Sequence, residues 1–353
     1  MGFKDNSYCY TIKLSMKTYF ITGISGFLGR NLTIELLRQK DISIVGFVLP
    51  NEKNLEFYEQ HQNITLVRGN ILNKEDVNTF LSYPVSGDKY LIHAAGRISV
   101  YRRNDPLTMN INVEGTRNII DSVVDKNFKK VVYVSSVDSV PKQKGNEKIY
   151  EPEVYDTKLV DGVYSKSKVL ANNIVLDAVN NSGLPACIVL PSAMMGPNDP
   201  FNSPINLAIK KFLNDKLPAI TKGGYDIVDV RDVAKGILQV LDKGESGESY
   251  LLTGHQVSVK ELIALAGKVA NKKPVTKAVP HFIIKIASPF LEMHARIHKK
   301  TPLFTGFSMD CLKQNSHYSY DKAKLKFGYS ARELEETMKD TIDYLLFNNK
   351  QMH

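Results

Sequence analysis

The chain has 353 residues, 43% hydrophobic and 24% charged, with 46 basic and 37 acidic residues for a net charge of +9. That composition is ordinary for a globular protein with room for two lobes or one large α/β domain, and no apolar run reaches the length of a membrane span. The basic clusters Lys129–Lys130, Lys210–Lys211 and Lys299–Lys300 are short and free of interleaved aromatics, which argues against nucleic acid as a partner. Cys9, Cys187 and Cys311 have neither metal-site nor disulfide spacing, so a reducing cytoplasm is expected.

Residues 1–15 contain Lys and Asp and no signal-peptide core, and read as a dispensable extension ahead of Met16. Thr18 to Thr22 is β-branched and aromatic, a good strand, and it runs into the segment FITGISGFLGRNL with glycines at 23, 26 and 29. Leu28, Leu32, Leu36 and Leu37 then recur at helical spacing. A strand, a glycine turn and a helix in that order suit a pyrophosphate. One glycine turns the chain, one admits the ligand, one packs helix on strand, and the helix N-terminus offers free N–H groups. On this segment alone a packing turn without ligand stays open.

Further strands are expected at Ile42–Leu49, Ile64–Val67, Tyr90–Ala95, Val131–Ser135 and Pro185–Leu190, with helices at Val113–Val124 and Val163–Val179. Continuous apolar strands alternating with amphipathic helices predict an α/β fold of Rossmann type, a doubly wound parallel sheet. It covers residues 16–190, with 226–257 returning to it. From Pro191 proline and glycine become frequent, and a smaller, mixed substrate lobe is expected from 191–225 and 258–353. Ser258 with Glu261 and Ser330 with Glu333 have capping-box spacing.

Two later stretches carry chemistry. In VYSKSKVLA, Tyr164 and Lys168 lie four apart on one helix face, where an ammonium favours the phenolate and lowers the tyrosine pKa. In VVYVSSVDS, Ser135 and Ser136 close a buried strand at the sheet edge where ligands bind. Each is common by itself.

Together, the glycine loop, the strand-end serine and Tyr-x-x-x-Lys on the following helix resemble the short-chain dehydrogenase/reductase superfamily. The match is to its extended branch, the NAD-dependent epimerase/dehydratase family. Thr22, Gly23, Gly26 and Gly29 fit its T-G-x-x-G-x-x-G loop; GNI at 69–71, HAAG at 93–96, NVEGT at 112–116, PSAMMGP from Pro191 and VDVRDVA from Val228 fit later signatures. The resemblance implies NAD or NADP as cofactor. It implies Tyr164 as acid–base, Lys168 as its helper and ribose ligand, Ser136 on the substrate oxygen in preference to Ser135, and Asn112 in support of the lysine. Gly23, Ser25, Gly26, Phe27, Leu28 and Gly29 would hold the pyrophosphate. Asn70 and Ile71 would flank the adenine, Ala94, Ala95 and Gly96 the pyrophosphate and ribose, and Pro191 and Ser192 the nicotinamide.

The sequence departs from the family pattern in places. Leu49 and Pro50, with Glu52 and Lys53 beyond, stand where an acid or arginine sorts NAD from NADP, so that choice is open. Asn70 replaces an aspartate, and its carbonyl can still accept a hydrogen bond. His93 reads as a structural strand residue. Val137 and Asp138 replace the dehydratases' Asp-Glu pair, and Tyr225 stands where nucleotide-sugar enzymes carry a diphosphate-clamping arginine. The pattern therefore looks most like dihydroflavonol-4-reductases and 3β-hydroxysteroid dehydrogenases. The expectation is a reductase or dehydrogenase acting on a small-molecule ketone or secondary alcohol. The alternatives are a sugar epimerase and a non-catalytic NAD(P)-binding redox sensor. No membrane partner is expected, and homodimer formation stays open.

Overall fold

Neighbouring strand residues point to opposite faces of a sheet, and here both faces are apolar. In the strand Lys17–Thr22 (β1), Phe20 packs into one core with Leu91, Val131 and Ile188, while Tyr19 and Ile21 pack into another with Ile92, Val132 and Val189. A sheet buried on both sides must be covered by helices on both sides. A computed structural model describes residues 16–280 and 306–351 of the protein. The extension 1–15, Cys9 and Lys299–Lys300 lie outside the described residues.

The main sheet contains seven parallel strands. Besides β1 they are Ile42–Val48 (β2), Ile64–Arg68 (β3), Asp88–His93 (β4), Lys130–Val134 (β5), Ala186–Pro191 (β6) and Ser249–Leu252. Their order places β2 and β3 on one side of β1, and β4, β5, β6 and Ser249–Leu252 on the other. The chain thus reverses direction across the sheet between β1 and β4, which opens a crevice at their carboxyl ends. The helix Phe27–Leu36 (α1) packs with Val230–Lys243 on one face; Lys74–Leu81 (α3), Gly115–Val123 (α5) and Val163–Ser182 (α6) cover the other, with the short helices Glu56–Glu59 (α2) and Pro106–Met109 (α4) between them in the chain.

A three-stranded sheet of Ala193–Met195, Gly224–Asp229 and His255–Ser258 lies beyond β6. Its own core joins Met195, Phe212, Ile227, Ile263 and Ile342. Ser258 caps the helix Val259–Val269 as its spacing predicts: its hydroxyl accepts the Glu261 N–H at 3.1 Å and Glu261 accepts the Ser258 N–H at 2.9 Å.

Two expectations change. Ser330 caps no helix; the C-terminal helix starts at Leu334. Arg332 holds the intervening residues against Val230–Lys243, its N–H and guanidinium both donating to Asp232 at 2.8 and 2.7 Å. The helix expected from Val113 is preceded by a π turn at Asn110–Glu114 and becomes α-helical only at Gly115. π turns of this kind recur at functional sites.

Candidate active site

The glycine loop joins β1 to α1, and its three glycines differ. Gly23 has φ +70°, and a Cβ there would meet the Ala95 nitrogen at 2.8 Å. At Gly29 a Cβ would lie 2.2 Å from the Gly23 carbonyl oxygen and 2.6 Å from the Ile24 Cα, so this glycine seats the helix on the turn that leaves β1. Gly26 has no such crowding, its nearest contact being the Gly23 carbonyl at 3.1 Å. It is the N-cap of α1, no side chain caps that helix, and no acid stands in its first turn. The first N–H groups of α1 are therefore available to an anion.

Opposite the loop, a histidine ties three elements together. His93 is fully buried, with Nδ1 2.7 Å from the Thr22 hydroxyl and Nε2 3.0 Å from the Thr116 hydroxyl. Thr116 donates to the Asn112 carbonyl at 2.6 Å and Thr22 accepts the Ala95 N–H at 3.1 Å. Thr116 has spent its proton, so Nε2 donates to it and Nδ1 accepts from Thr22. Burial, aided by the charge of Lys168, pushes the imidazole pKa down to about 3. His93 is thus a neutral strut that sets Ala94 and Ala95 against the glycine loop.

The serine pair divides its work. Ser135 lies 3.4 Å, hydroxyl to hydroxyl, from Ser139. Ser136 accepts the Asp138 N–H at 3.1 Å, which leaves its own proton to donate, and a Ser136 hydrogen bond favours ionisation of Tyr164. Tyr164 and Lys168 occupy the first turns of α6. The Lys168 ammonium donates to the Val134 carbonyl at 2.8 Å and the Tyr133 hydroxyl at 3.2 Å, 4.9 Å above the Tyr133 ring. Asn112, on the π turn, brackets the Arg97 backbone, accepting its N–H at 2.7 Å and donating to its carbonyl at 2.9 Å. It reaches Ser167, at 2.9 Å, and not Lys168 itself.

The expected lowering of the Tyr164 pKa is not what the structure shows. Tyr164 keeps a side open to the cavity, yet its hydroxyl lies deep enough that lost hydration raises its pKa, and the charge of Asp138 raises it further. Lys168 moves the other way: burial takes its pKa from the ordinary 10.5 down to about 7. The ammonium faces Tyr133 and Val134, and its lost hydration sets the direction of the shift.

These elements enclose a cavity of about 380 Å³, in the range of small-ligand sites. Of the residues expected at a site, Gly23, Gly26, Phe27, Leu28, Gly29, Ala94, Gly96, Ser136, Tyr164, Lys168, Pro191 and Ser192 line it. Ser25, Ala95 and Asn112 are not part of that lining, and Asn70 and Ile71 follow β3 farther along the same sheet edge. The Asn70 side-chain oxygen already accepts the Leu72 N–H at 3.0 Å. Sequence reasoning missed the apolar wall of Ile98, Met194 and Ile205, and above all Asp138. The Tyr225 hydroxyl donates to the Asp138 carboxylate, and the Lys142 ammonium lies 3.8 Å from it and 4.6 Å from the Tyr318 ring centroid. The one signal for this cluster was Asp138 standing two residues after the strand-end serine.

Comparison with known proteins agrees with this architecture. The model of the NAD dependent epimerase/dehydratase family matches residues 19–253. A relative from Synechocystis sp. that carries the dihydroflavonol 4-reductase name is 26% identical over 335 residues, 92% of this chain and 94% of that one. A 2-alkyl-3-oxoalkanoate reductase of Shewanella oneidensis is 26% identical over 336 residues, 91% of this chain and 84% of that one. The solved structure of gox2253 superposes with a TM-score of 0.79 at 27% identity, over 94% of this chain and 99% of that one. The chain belongs to the NAD-dependent epimerase/dehydratase family and is an NAD(P)-dependent enzyme. No helix among the described residues is long and apolar enough to cross a membrane.

Two predictions follow from the geometry. Gly26→Val should give a folded protein that no longer binds NAD(P) in calorimetric titration, whereas Gly29→Ala should destabilise the fold by about 2 kcal/mol or more in urea. Unchanged cofactor affinity in Gly26→Val would contradict the loop assignment. Unfolded, Lys168 keeps its proton up to about 10.5, but in the fold only up to about 7, so between those values unfolding takes up a proton and stability rises with pH. Lys168→Met should therefore raise the melting temperature clearly at pH 6.5, by an amount that shrinks toward pH 10. A gain that grows with pH would show that the ammonium is not desolvated.

Proposed function

We propose that the chain is a reductase or dehydrogenase that transfers hydride between NAD(P) and a ketone or secondary alcohol, with Tyr164 as its acid–base group. The observation that carries this is the Tyr225–Asp138 pair beside Tyr164. A diphosphate-bearing sugar would meet a carboxylate there, and among the described residues no guanidinium lines the cavity to bind it. An uncharged carbonyl compound with an apolar body fits Ile98, Val137, Met194 and Ile205. The reductase and dehydrogenase names among the relatives support the same choice.

The residues present suit the cofactor. A Cβ at Gly26 would occupy the space in front of α1, whose free N–H groups would take the pyrophosphate, with Ser25, Phe27 and Leu28 around it. Ala94, Ala95 and Gly96 would border the ribose within reach of Lys168, Pro191 and Ser192 the nicotinamide, and Asn70 and Ile71 the adenine. When bound, the cofactor supplies or accepts the hydride. Burial and the Asp138 charge keep Tyr164 a phenol, the form that gives a proton to a carbonyl oxygen. Ser136, its lone pair engaged by Asp138, donates its own proton to the same oxygen. Asn112 and Ser167 position the start of α6, which carries both Tyr164 and Lys168.

Residues 191–225 and 258–353 form the substrate lobe in this proposal, and Ser203, Pro204, Ile205 and Tyr225 already reach the cavity from it. The unpaired Cys187 and Cys311 suit a cytoplasmic location.

Tyr164→Phe should keep cofactor affinity and lose turnover by about 10²- to 10⁴-fold, read as the rate of absorbance change at the reduced-nicotinamide band. Near wild-type rates would refute the role. Across a panel of ketones, aldehydes and nucleotide sugars, a carbonyl compound should consume one NAD(P)H per product, and uridine and guanosine diphosphate sugars should bind weakly. An epimer formed from a nucleotide sugar with no net cofactor change would establish the epimerase alternative.

A further inference from the structure

The last residue of β2 and the three that follow it include no acid. Leu49 and Pro50 stand there, and the nearest carboxylate beyond them, Glu52, turns back to accept the Leu49 N–H at 3.3 Å. Arg68, at the end of β3, donates to the carbonyls of Pro50 and Glu52 at 3.1 and 3.2 Å, so its guanidinium holds this loop together.

A second guanidinium in the neighbourhood is unpaired. Arg30 follows Gly29 in α1, and its side chain lies over the Phe57 ring, guanidinium carbon 4.6 Å from the centroid. It makes no hydrogen bond or ion pair among the described residues, and its Nε is buried without a partner. A buried guanidinium N–H left unpaired is costly, and its presence calls for an acceptor. The next residue after Phe57, Tyr58, donates its hydroxyl to the Ile24 carbonyl inside the glycine loop at 2.8 Å, and the charges of both Arg30 and Glu52 act on that hydroxyl. Arg30, the glycine loop and the end of β2 therefore share one neighbourhood.

We propose that Arg30 receives the 2′-phosphate of the cofactor, so that the enzyme prefers NADP to NAD. In a Rossmann sheet the adenosine ribose lies at the end of β2, where an acid suits a 2′-hydroxyl and an arginine a 2′-phosphate. Here the acid turns one oxygen onto its own loop, and the arginine keeps an Nε without a partner. Stacking on Phe57 restricts the guanidinium, so little freedom is lost when its fork meets phosphate oxygens. The proposal rests on the glycine loop holding the dinucleotide.

Calorimetric titration of the full chain with NADP, NAD, 2′,5′-ADP and 5′-AMP tests it without turnover. Each phosphorylated ligand should bind about 10- to 100-fold tighter than its counterpart, as hydrogen bonds to a charged group allow. Arg30→Met, which keeps the stem over Phe57, should erase that difference and leave NAD and AMP affinity unchanged. Arg30→Lys should restore part of it. Tighter binding of NAD than of NADP by the wild type overturns the proposal. So does a preference that survives in Arg30→Met, or an equal loss for all four ligands. Wild type that binds none of the four refutes the glycine-loop assignment, and the proposal with it.

Discussion

Lys168 is an ammonium held under the surface with no carboxylate paired to it among the described residues. Its hydrogen bonds are to the Val134 carbonyl and the Tyr133 hydroxyl, both at the end of β5. That attachment sets where α6 begins relative to the sheet. Tyr164 precedes Lys168 by four residues, about 6 Å along the helix, and so falls beside Ser136, which leaves the same strand. The arrangement costs stability, because burial opposes the lysine charge, and costs of this kind concentrate at functional sites.

The scaffold around this anchor was largely legible in the sequence. Strand β1 followed by three spaced glycines and a leucine-periodic helix predicts a phosphate-binding turn, and both faces of the sheet are apolar because both are covered. What stayed hidden depends on contacts between segments far apart in the chain. Ser330 and Glu333 have the spacing of a cap, but Asp232, a hundred residues earlier, claims Arg332 and delays the helix. Asn112, expected in support of the lysine, hydrogen-bonds the Arg97 backbone and Ser167, partners that no spacing pointed to. Nor does spacing reveal dielectric. Tyr164 and Lys168 share a helix face as predicted, yet lost hydration decides the direction of both pKa shifts.

Asp138 shows the same limit from the other side. In the sequence it is only an acid one place removed from the position that a dehydratase needs. Folding brings Tyr225 to it, and Tyr318 to Lys142 four residues further on, and turns a strand-end aspartate into part of the cavity wall. The two readings of the sequence, a missing acid after the serine and a missing arginine at Tyr225, thus become a single hydrogen-bonded pair.

On the proposed function, Tyr164 would give its proton to a carbonyl oxygen, and the bound cofactor would supply the hydride for the adjoining carbon. Nicotinamide cofactor deuterated at C4 on the transferred face, incubated with a ketone that the enzyme turns over, tests it most directly. The account predicts one deuterium on the carbinol carbon of the product for each oxidised cofactor formed. Product that carries deuterium without accumulation of oxidised cofactor, or oxidised cofactor without deuterium in the product, would contradict it.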